Sequence, residues 1–160
     1  MKNTFLACAL LALPASLLAN EYYCAGHKAT IIGTEFDDTL TGTSGVDVIV
    51  GLDGDDVITG ADGNDIICGG KGQDTINAGG GNDEVYGGRD ADVVNGDSGN
   101  DFVDGGDGDD DVRGGPGNDT VYGADGDDNV KGGGGTDRCV GGNGSDQSTN
   151  NTCETKISIP

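Results

Sequence analysis

Residues 105–131 read GGDGDDDVRGGPGNDTVYGADGDDNVK and divide into three blocks of nine residues. Each block begins with glycine, carries aspartate at its sixth position and carries valine at its eighth position. The same frame runs from Gly33 to Thr149 without insertion or deletion and gives thirteen consecutive blocks, each with aspartate at the sixth position. A frame held over this length indicates a repeated structural unit.

The amino-acid composition, considered apart from the nine-residue repeat, favours disorder. The chain has 33 glycines, 4% aromatic residues and a formal net charge of −21, a combination typical of chains that bury too little apolar surface to fold. We therefore expect disorder in the chain without metal and order in the metal-loaded chain. The negative charge also predicts no binding to nucleic acid and no membrane insertion, and it favours cations as partners.

Each block has two halves. Its first six residues are rich in glycine, which permits positive φ and tight turns, and its last three are β-prone with an apolar residue in the middle. Turns and strands of constant length predict an all-β, two-sheet parallel solenoid with two blocks per coil. Odd-numbered blocks then form one sheet, even-numbered blocks form the other, and the eighth-position side chains stack between them.

The apolar core of such a solenoid is thin, so a cation is expected to take part in the fold. Aspartate carboxylates and backbone carbonyls suit Ca²⁺, which takes six to eight oxygen ligands. His27 is the only histidine, which argues against a histidine-rich zinc or copper site. An EF-hand is also excluded, because Glu35 and Glu84 close no loop of that type. Each turn lies over the turn two blocks later, so thirteen turns allow up to about 11 ions.

Three blocks fit the pattern GGxGxDxUx, where U is aliphatic, at every defined position: GGKGQDTIN (69–77), GGDGDDDVR (105–113) and GGPGNDTVY (114–122). This pattern resembles the hemolysin-type calcium-binding repeat of the RTX (repeats-in-toxin) family, and the resemblance covers residues 33–149. It implies a parallel β-roll with Ca²⁺ bound between successive turns by sixth-position aspartates and by backbone carbonyls of the first four positions. The carboxylate ligands implied are Asp38, Asp47, Asp56, Asp65, Asp74, Asp83, Asp92, Asp101, Asp110, Asp119, Asp128, Asp137 and Asp146.

Two turns depart from the pattern, since Phe36 and Asp90 replace the fourth-position glycine. The site is therefore in doubt in the first turn and in the turn of Asp92. The remaining aspartates, such as Asp55 and Asp109, are expected to be solvated rather than to bind metal.

Regions outside the repeats predict export. Residues 1–19 have one lysine followed by an apolar run and small residues, as in a secretory signal peptide. Residues 20–32 then form an N-terminal cap, residues 33–149 the calcium-binding β-roll, and residues 150–160 a C-terminal cap or tail. A secreted, extracellular protein is expected, with the periplasm or the cell surface as alternatives.

Four cysteines lie outside the predicted signal peptide, and an even number in an exported chain favours two disulfides. Three pairings are open. Cys68 faces outward on the even sheet, where the segment containing Cys24 is expected to cover it, while Cys139 lies at a core position near Cys153. These placements favour Cys24–Cys68 and Cys139–Cys153.

The outward faces of the two sheets leave alternatives open. The even sheet is unusually apolar, so Tyr22 and Tyr23 are expected to pack near Val50 and Ile66, and self-association, adhesion or binding of a surface ligand is an alternative function. Its outward residues are Val48, Val50, Ile66, Cys68, Tyr86, Phe102, Tyr122 and Val140. The odd sheet begins with a flat lattice that suits an ice- or glycan-binding module, although ordinary β-propensity on a solvated face is favoured. That lattice is Thr39, Thr41, Val57, Thr59, Thr75, Asn77, Val93 and Asn95.

The sequence contains no HExxH or GxSxG motif, and it therefore predicts a protein that is not an enzyme. The function expected is that of an exported, non-catalytic calcium-binding protein whose folding is driven by ions between stacked turns.

Overall fold

The computed structural model describes residues 21–147 and 153–159. The predicted signal peptide and residues 148–152 and 160 lie outside these residues. All secondary structure in the described part is β. The strands are β1 (Tyr23–Cys24), β2 (His27–Lys28), β3 (Ile31–Ile32), β4 (Thr39–Thr41), β5 (Val48–Asp53), β6 (Val57–Asp62), β7 (Ile66–Lys71), β8 (Thr75–Gly80), β9 (Glu84–Arg89), β10 (Val93–Ser98), β11 (Phe102–Asp107), β12 (Asp111–Pro116), β13 (Thr120–Asp125), β14 (Asn129–Gly134), β15 (Asp137–Asn143) and β16 (Cys153–Ile159).

Two parallel sheets form a β-roll. One sheet has the order β14-β12-β10-β8-β6-β4 and contains the odd blocks, and the other has the order β16-β15-β13-β11-β9-β7-β5-β3 and contains the even blocks. Within the repeats each residue pairs with the residue 18 positions further on, as Val57 does with Thr75. The structure thus confirms two blocks per coil and the division of blocks between the sheets.

The core is a single ladder of eighth-position side chains enclosed between the two sheets. From Ile49 to Cys139 these residues are 2% exposed or less, and Leu40 packs against them as a partly buried residue. Because every coil adds one side chain from each sheet, the ladder runs along the whole roll. The predicted inward direction of the eighth position is confirmed.

The strands are longer than the expected three residues, because pairing continues through the first three positions of the next block. Leu52 pairs with Gly70, and Asp53 pairs with Lys71. A Cβ added to Gly70 would lie 1.9 Å from the carbonyl oxygen of Leu52. The missing side chain therefore lets the backbones of adjacent coils approach closely enough to continue the ladder.

Segments outside the repeats extend the even sheet at both ends. Strand β3 pairs with β5, and β16 pairs with β15. The predicted disulfides are both present, with Cys24 joined to Cys68 and Cys139 joined to Cys153. Cysteine pairing of this kind indicates an oxidising environment.

The antiparallel pair β1–β2 covers part of the outward face of the even sheet. Tyr22 and Ala29 pack with Val48 and Val50 there, as expected for the N-terminal segment. Tyr23, in contrast, is 54% exposed, so its predicted packing is wrong. Side chains alternate along a strand, so Tyr23 points away from the sheet because its neighbour Cys24 is buried against it.

Candidate metal centre

The sixth-position aspartates stack in two columns, one along each edge of the roll. In every stacked pair the backbone N–H of one aspartate donates a hydrogen bond to Oδ1 of the aspartate 18 residues later, at 2.8–3.2 Å. The odd column contains Asp38, Asp56, Asp74, Asp92, Asp110, Asp128 and Asp146, and the even column contains Asp47, Asp65, Asp83, Asp101, Asp119 and Asp137. The fold thus places these carboxylates directly above one another.

Most of these carboxylates are buried, and most have one oxygen without a partner. Every member of the two columns except Asp38 and Asp146 is at most 6% exposed. The Oδ2 atoms of the eleven aspartates from Asp56 to Asp146 accept no hydrogen bond. Burying a carboxylate oxygen without a partner is costly. A repeated cost of this kind points to a cationic ligand.

Burial also raises the pKa of the central carboxylates. The pKa of Asp92 rises to about 8 and that of Asp101 to about 7, while the pKa values of Asp74, Asp83 and Asp128 rise to about 6. Loss of hydration is the largest cause, the backbone hydrogen bond to Oδ1 opposes it, and neighbouring aspartates add to it. A bound cation would favour the charged form of these same groups.

Backbone carbonyls lie close to both carboxylate oxygens of the stacked aspartates. A Cβ added to Gly51 would lie 2.3 Å from Oδ2 of Asp56 and 2.5 Å from the carbonyl oxygen of Gly69 in the next coil. A Cβ added to Gly63 would lie 2.8 Å from Oδ1 of Asp65 and 2.6 Å from the carbonyl oxygen of Gly45 in the preceding coil. The turns therefore form oxygen-lined cradles that exclude side chains, and two carboxylates with several carbonyls suit Ca²⁺.

Side chains alone do not complete these sites. Within residues 21–147 and 153–159, no three histidine, cysteine, aspartate or glutamate side chains converge on one point. Each cradle would instead combine Oδ2 of one aspartate, Oδ1 of the aspartate in the next coil, and backbone carbonyls. This donor set contains only hard oxygens, which suit calcium better than zinc or copper.

The first two turns have a different arrangement, which the sequence reasoning missed. Oδ2 of Asp38 accepts hydrogen bonds from the N–H (2.6 Å) and Oγ1 (2.8 Å) of Thr34. Oδ2 of Asp47 accepts the same two bonds from Thr43 at the same distances. The signal in the sequence was threonine at the second position of the first two blocks and of no others.

The turn of Asp92, in contrast, keeps the geometry of its neighbours despite the missing glycine. Asp90 has a φ of 74°, which is positive like the φ of the fourth-position glycines from Gly54 to Gly144. Aspartate tolerates this region better than most residues. Asp92 is 2% exposed and has a free Oδ2. The substitution at the fourth position therefore leaves this cradle intact.

Asp55 and Asp109 are exposed, as expected for residues outside the columns. Their Oδ1 atoms nevertheless accept hydrogen bonds from the backbone N–H of Gln73 and Asp127 in the next coil, at 2.8 and 2.9 Å. Asparagines do the same on the other edge, where Asn82 donates its N–H to Asn64 at 2.8 Å. Fifth-position side chains thus tie adjacent turns together outside the candidate sites.

Stacked parallel coils with buried carboxylates facing carbonyl-lined turns define a β-solenoid of the metal-binding class. A sequence model of the RTX calcium-binding nonapeptide repeat (four copies) matches the chain in six overlapping segments that span residues 32–147. The chain therefore belongs to the RTX calcium-binding repeat family. A search of curated proteins finds no match. Within the described ranges, no helix is long and apolar enough to span a membrane.

Proposed function

We propose that this protein is an exported, non-catalytic calcium-binding β-roll whose folding is driven by Ca²⁺ bound between stacked turns. The observation that carries this proposal is the series of eleven buried Oδ2 atoms without partners, from Asp56 to Asp146, in oxygen-lined turns. A chain that buries so many unpaired carboxylate oxygens needs a counter-ion in its folded state.

Calcium binding and folding are coupled because the cradles exist only when the coils are stacked. Each site takes one carboxylate from each of two turns that are 18 residues apart, as Asp74 and Asp92 are. The unfolded chain brings no such pair together, so the free energy of binding becomes free energy of folding. Extracellular calcium modules bind with Kd values on the order of 10⁻⁴–10⁻³ M, so the chain would stay unfolded where calcium is scarce.

Export is supported by two independent features. Residues 1–19 have the composition of a secretory signal peptide, and the chain carries the Cys24–Cys68 and Cys139–Cys153 disulfides. Disulfides persist in the oxidising compartments to which exported proteins are delivered. Calcium is abundant in the extracellular medium, so export and folding would coincide.

A calcium titration followed by far-UV circular dichroism tests the proposal. Calcium-depleted protein is expected to be mostly disordered, to gain β-structure cooperatively with Ca²⁺, and to respond weakly to the same concentrations of Mg²⁺, which keeps its waters in preference to such cages. β-Structure that persists in excess chelator at neutral pH, where the aspartates of the unfolded chain are ionised, would contradict calcium-driven folding.

Calcium-dependent self-association is a second candidate function, because aromatic rings form a row on the even sheet. The ring centroids of Tyr86 and Phe102 lie 5.7 Å apart, and those of Phe102 and Tyr122 lie 5.5 Å apart. Such rows supply apolar contact area at protein interfaces. Sedimentation velocity with and without calcium tests this candidate, and a monomer in saturating calcium would remove it.

A further inference from the structure

The conformation of the turns changes sharply between the second and third blocks. From Leu52 to Gly142, all eleven second-position residues have positive φ, and from Gly54 to Gly144 so do all eleven fourth-position residues. Thr34 and Thr43 are not among the residues with positive φ, and neither are Phe36 and Gly45. The array therefore contains two kinds of turn, and only the later kind has a free Oδ2.

The second-position threonine is the residue that distinguishes the two kinds. The second block keeps a glycine at its fourth position, Gly45, and still does not adopt the later conformation. Its turn is held instead by Thr43, whose Oγ1 accepts a hydrogen bond from the N–H of Gly45 at 3.2 Å and donates one to Oδ2 of Asp47 at 2.8 Å. Threonine hydroxyls stabilise turns in this way.

These bonds occupy the oxygen on which a cation would depend. Oδ2 of each aspartate faces the coil that follows, since the first-position cradle of Gly51 brings together Oδ2 of Asp56 and the carbonyl of Gly69. Oδ2 of Asp47 lies in the corresponding cradle, where a Cβ added to Gly42 would lie 3.1 Å from it and 2.2 Å from the carbonyl oxygen of Gly60, but it already accepts hydrogen bonds from the N–H and the O–H of Thr43. Two donors already compensate much of the charge on this oxygen through charge-assisted hydrogen bonds, so it attracts a cation less than a free Oδ2 does.

We propose that Thr34 and Thr43 close the first two turns to calcium, so that the ion array begins at the third turn. This inference rests on the proposed function. Thirteen turns form eleven stacked pairs, and closing the pairs that begin with Asp38 and Asp47 leaves nine. The Oδ2 ligands of those nine sites are Asp56, Asp65, Asp74, Asp83, Asp92, Asp101, Asp110, Asp119 and Asp128.

The first two turns are thereby completed by groups of the chain itself. Oδ2 of Asp38 and Oδ2 of Asp47 each accept a hydrogen bond from a threonine hydroxyl, and the Cys24–Cys68 disulfide holds the N-terminal segment against the same end of the roll. Thr34 and Thr43 thus act as specificity-determining residues, because they decide which of thirteen equivalent aspartates take part in metal binding.

The number of calcium ions bound at saturation tests the inference, measured by flow dialysis on the folded protein. We expect nine ions for the wild type and ten for Thr43→Gly, because glycine lets the second turn adopt the conformation of the later turns, and Gly45 is already compatible with it. The matched control is Thr41→Gly, which removes an exposed threonine from the same end of the roll without touching an aspartate. It is expected to bind nine ions.

The outcomes separate the two proposals. If the wild type binds no calcium, the proposed function is wrong. If the wild type binds calcium and Thr43→Gly binds no additional ion, only the proposed closure is wrong. If Thr43→Gly does not fold, calcium anomalous scattering from crystals of the wild type gives the positions of the ions directly. Peaks only from the third turn onward support the closure, and a peak beside Asp38 or Asp47 overturns it.

Discussion

Asp47 and Asp65 occupy the same position in their blocks and lie one coil apart in the same column, yet their carboxylates differ in chemistry. Hydrogen bonds from the backbone and hydroxyl of Thr43 lower the pKa of Asp47. Burial raises the pKa of Asp65, whose Oδ2 has no partner. The residues four positions earlier, Thr43 and Ala61, account for the contrast. Stacking alone therefore does not leave Oδ2 free, because the second position decides whether the turn satisfies its own carboxylate.

The same contrast divides the roll into two regions. At the N-terminal end, threonine donors, a disulfide and the packing of Tyr22 and Ala29 stabilise the coils. In the middle, the third to eleventh turns have no such donors to Oδ2, and they are held by the thin apolar ladder, the strand hydrogen bonds and the hydrogen bonds of the stacked aspartates and fifth-position side chains. We expect the middle to depend on calcium and the N-terminal end to depend on it least.

The largest effect is expected when Asp92→Asn is compared with Asp47→Asn. In the proposed sites Asp92 would contribute Oδ1 to one turn pair and Oδ2 to the next, so neutralising it should weaken two sites and leave their cations without a counter-charge. We expect a loss of about 5 kcal/mol in the free energy of unfolding in calcium. Asp47→Asn weakens hydrogen bonds to a charged group and should cost about 1.5 kcal/mol.

Chemical denaturation at fixed calcium gives both free energies, and the calcium midpoint of folding gives the second comparison. The midpoint should rise strongly for Asp92→Asn and change little for Asp47→Asn. Equal shifts in the two variants would show that the two turns are equivalent after all.

Removing each disulfide compares the two ends of the roll. Cys24–Cys68 closes a separation of 44 residues and Cys139–Cys153 one of 14, so the loop-entropy relation predicts losses of about 4 and about 3 kcal/mol, respectively. Thermal unfolding of the two Cys→Ser double variants in saturating calcium measures the difference. A larger loss for the Cys139/Cys153 variant would mean that the N-terminal end contributes less than its contacts indicate.

The pH dependence without metal should have opposite signs in the two regions. The pKa of Asp92 is raised to about 8 and that of Asp101 to about 7, so the folded chain binds more protons than the unfolded chain between pH 4 and pH 8. Stability of calcium-depleted protein is therefore greatest near pH 4 and falls as the pH rises through this window. Asp47, with its lowered pKa, stabilises the fold above pH 4 and loses that contribution as the pH falls further.

Circular dichroism of protein depleted on a chelating resin, recorded from pH 4 to pH 8, measures this dependence. β-Structure should decrease with increasing pH. In saturating calcium the trend should reverse, because Ca²⁺ binds the ionised carboxylates and protons compete with it. An increase of β-structure with pH in the depleted protein would contradict the burial of the central carboxylates.

The smallest effect is expected at the second position of a central turn. Ala124 has φ 84°, where an L-residue is strained. Ala124→Gly removes this strain, partly offset by the greater freedom of glycine in the unfolded chain, and should raise the free energy of unfolding by about 0.5–1 kcal/mol. Denaturation in calcium measures the gain, and a loss of stability would indicate that the methyl group contributes packing that outweighs the strain.

The nine-residue frame was sufficient to predict the fold. Because the side-chain direction alternates along a strand, a fixed frame determines that Ile58 and Val94 face inward and that Cys68 faces the segment containing Cys24. These expectations are confirmed by the core and by both disulfides.

The candidate site was only partly predictable. The nine-residue frame identified the aspartates. It did not distinguish Asp38 from Asp92 as candidate ligands, because both lie in blocks that have no glycine at the fourth position. The structure shows that Asp90 tolerates the required φ and that Thr34 supplies donors to Asp38. Such effects depend on the φ that a given residue accepts and on where its hydroxyl points, and a consensus pattern contains neither.

The hydrogen bonds along the columns all run in one direction, from the backbone N–H of each aspartate to Oδ1 of the aspartate one coil later. Each carboxylate therefore contacts the preceding coil as well as its own. When one coil becomes ordered, it places part of the ligand set of the next proposed site. This is the situation of a one-dimensional lattice with nearest-neighbour coupling. We expect folding to propagate as a front from the threonine-closed end and the apparent cooperativity of calcium binding to grow with the number of coils.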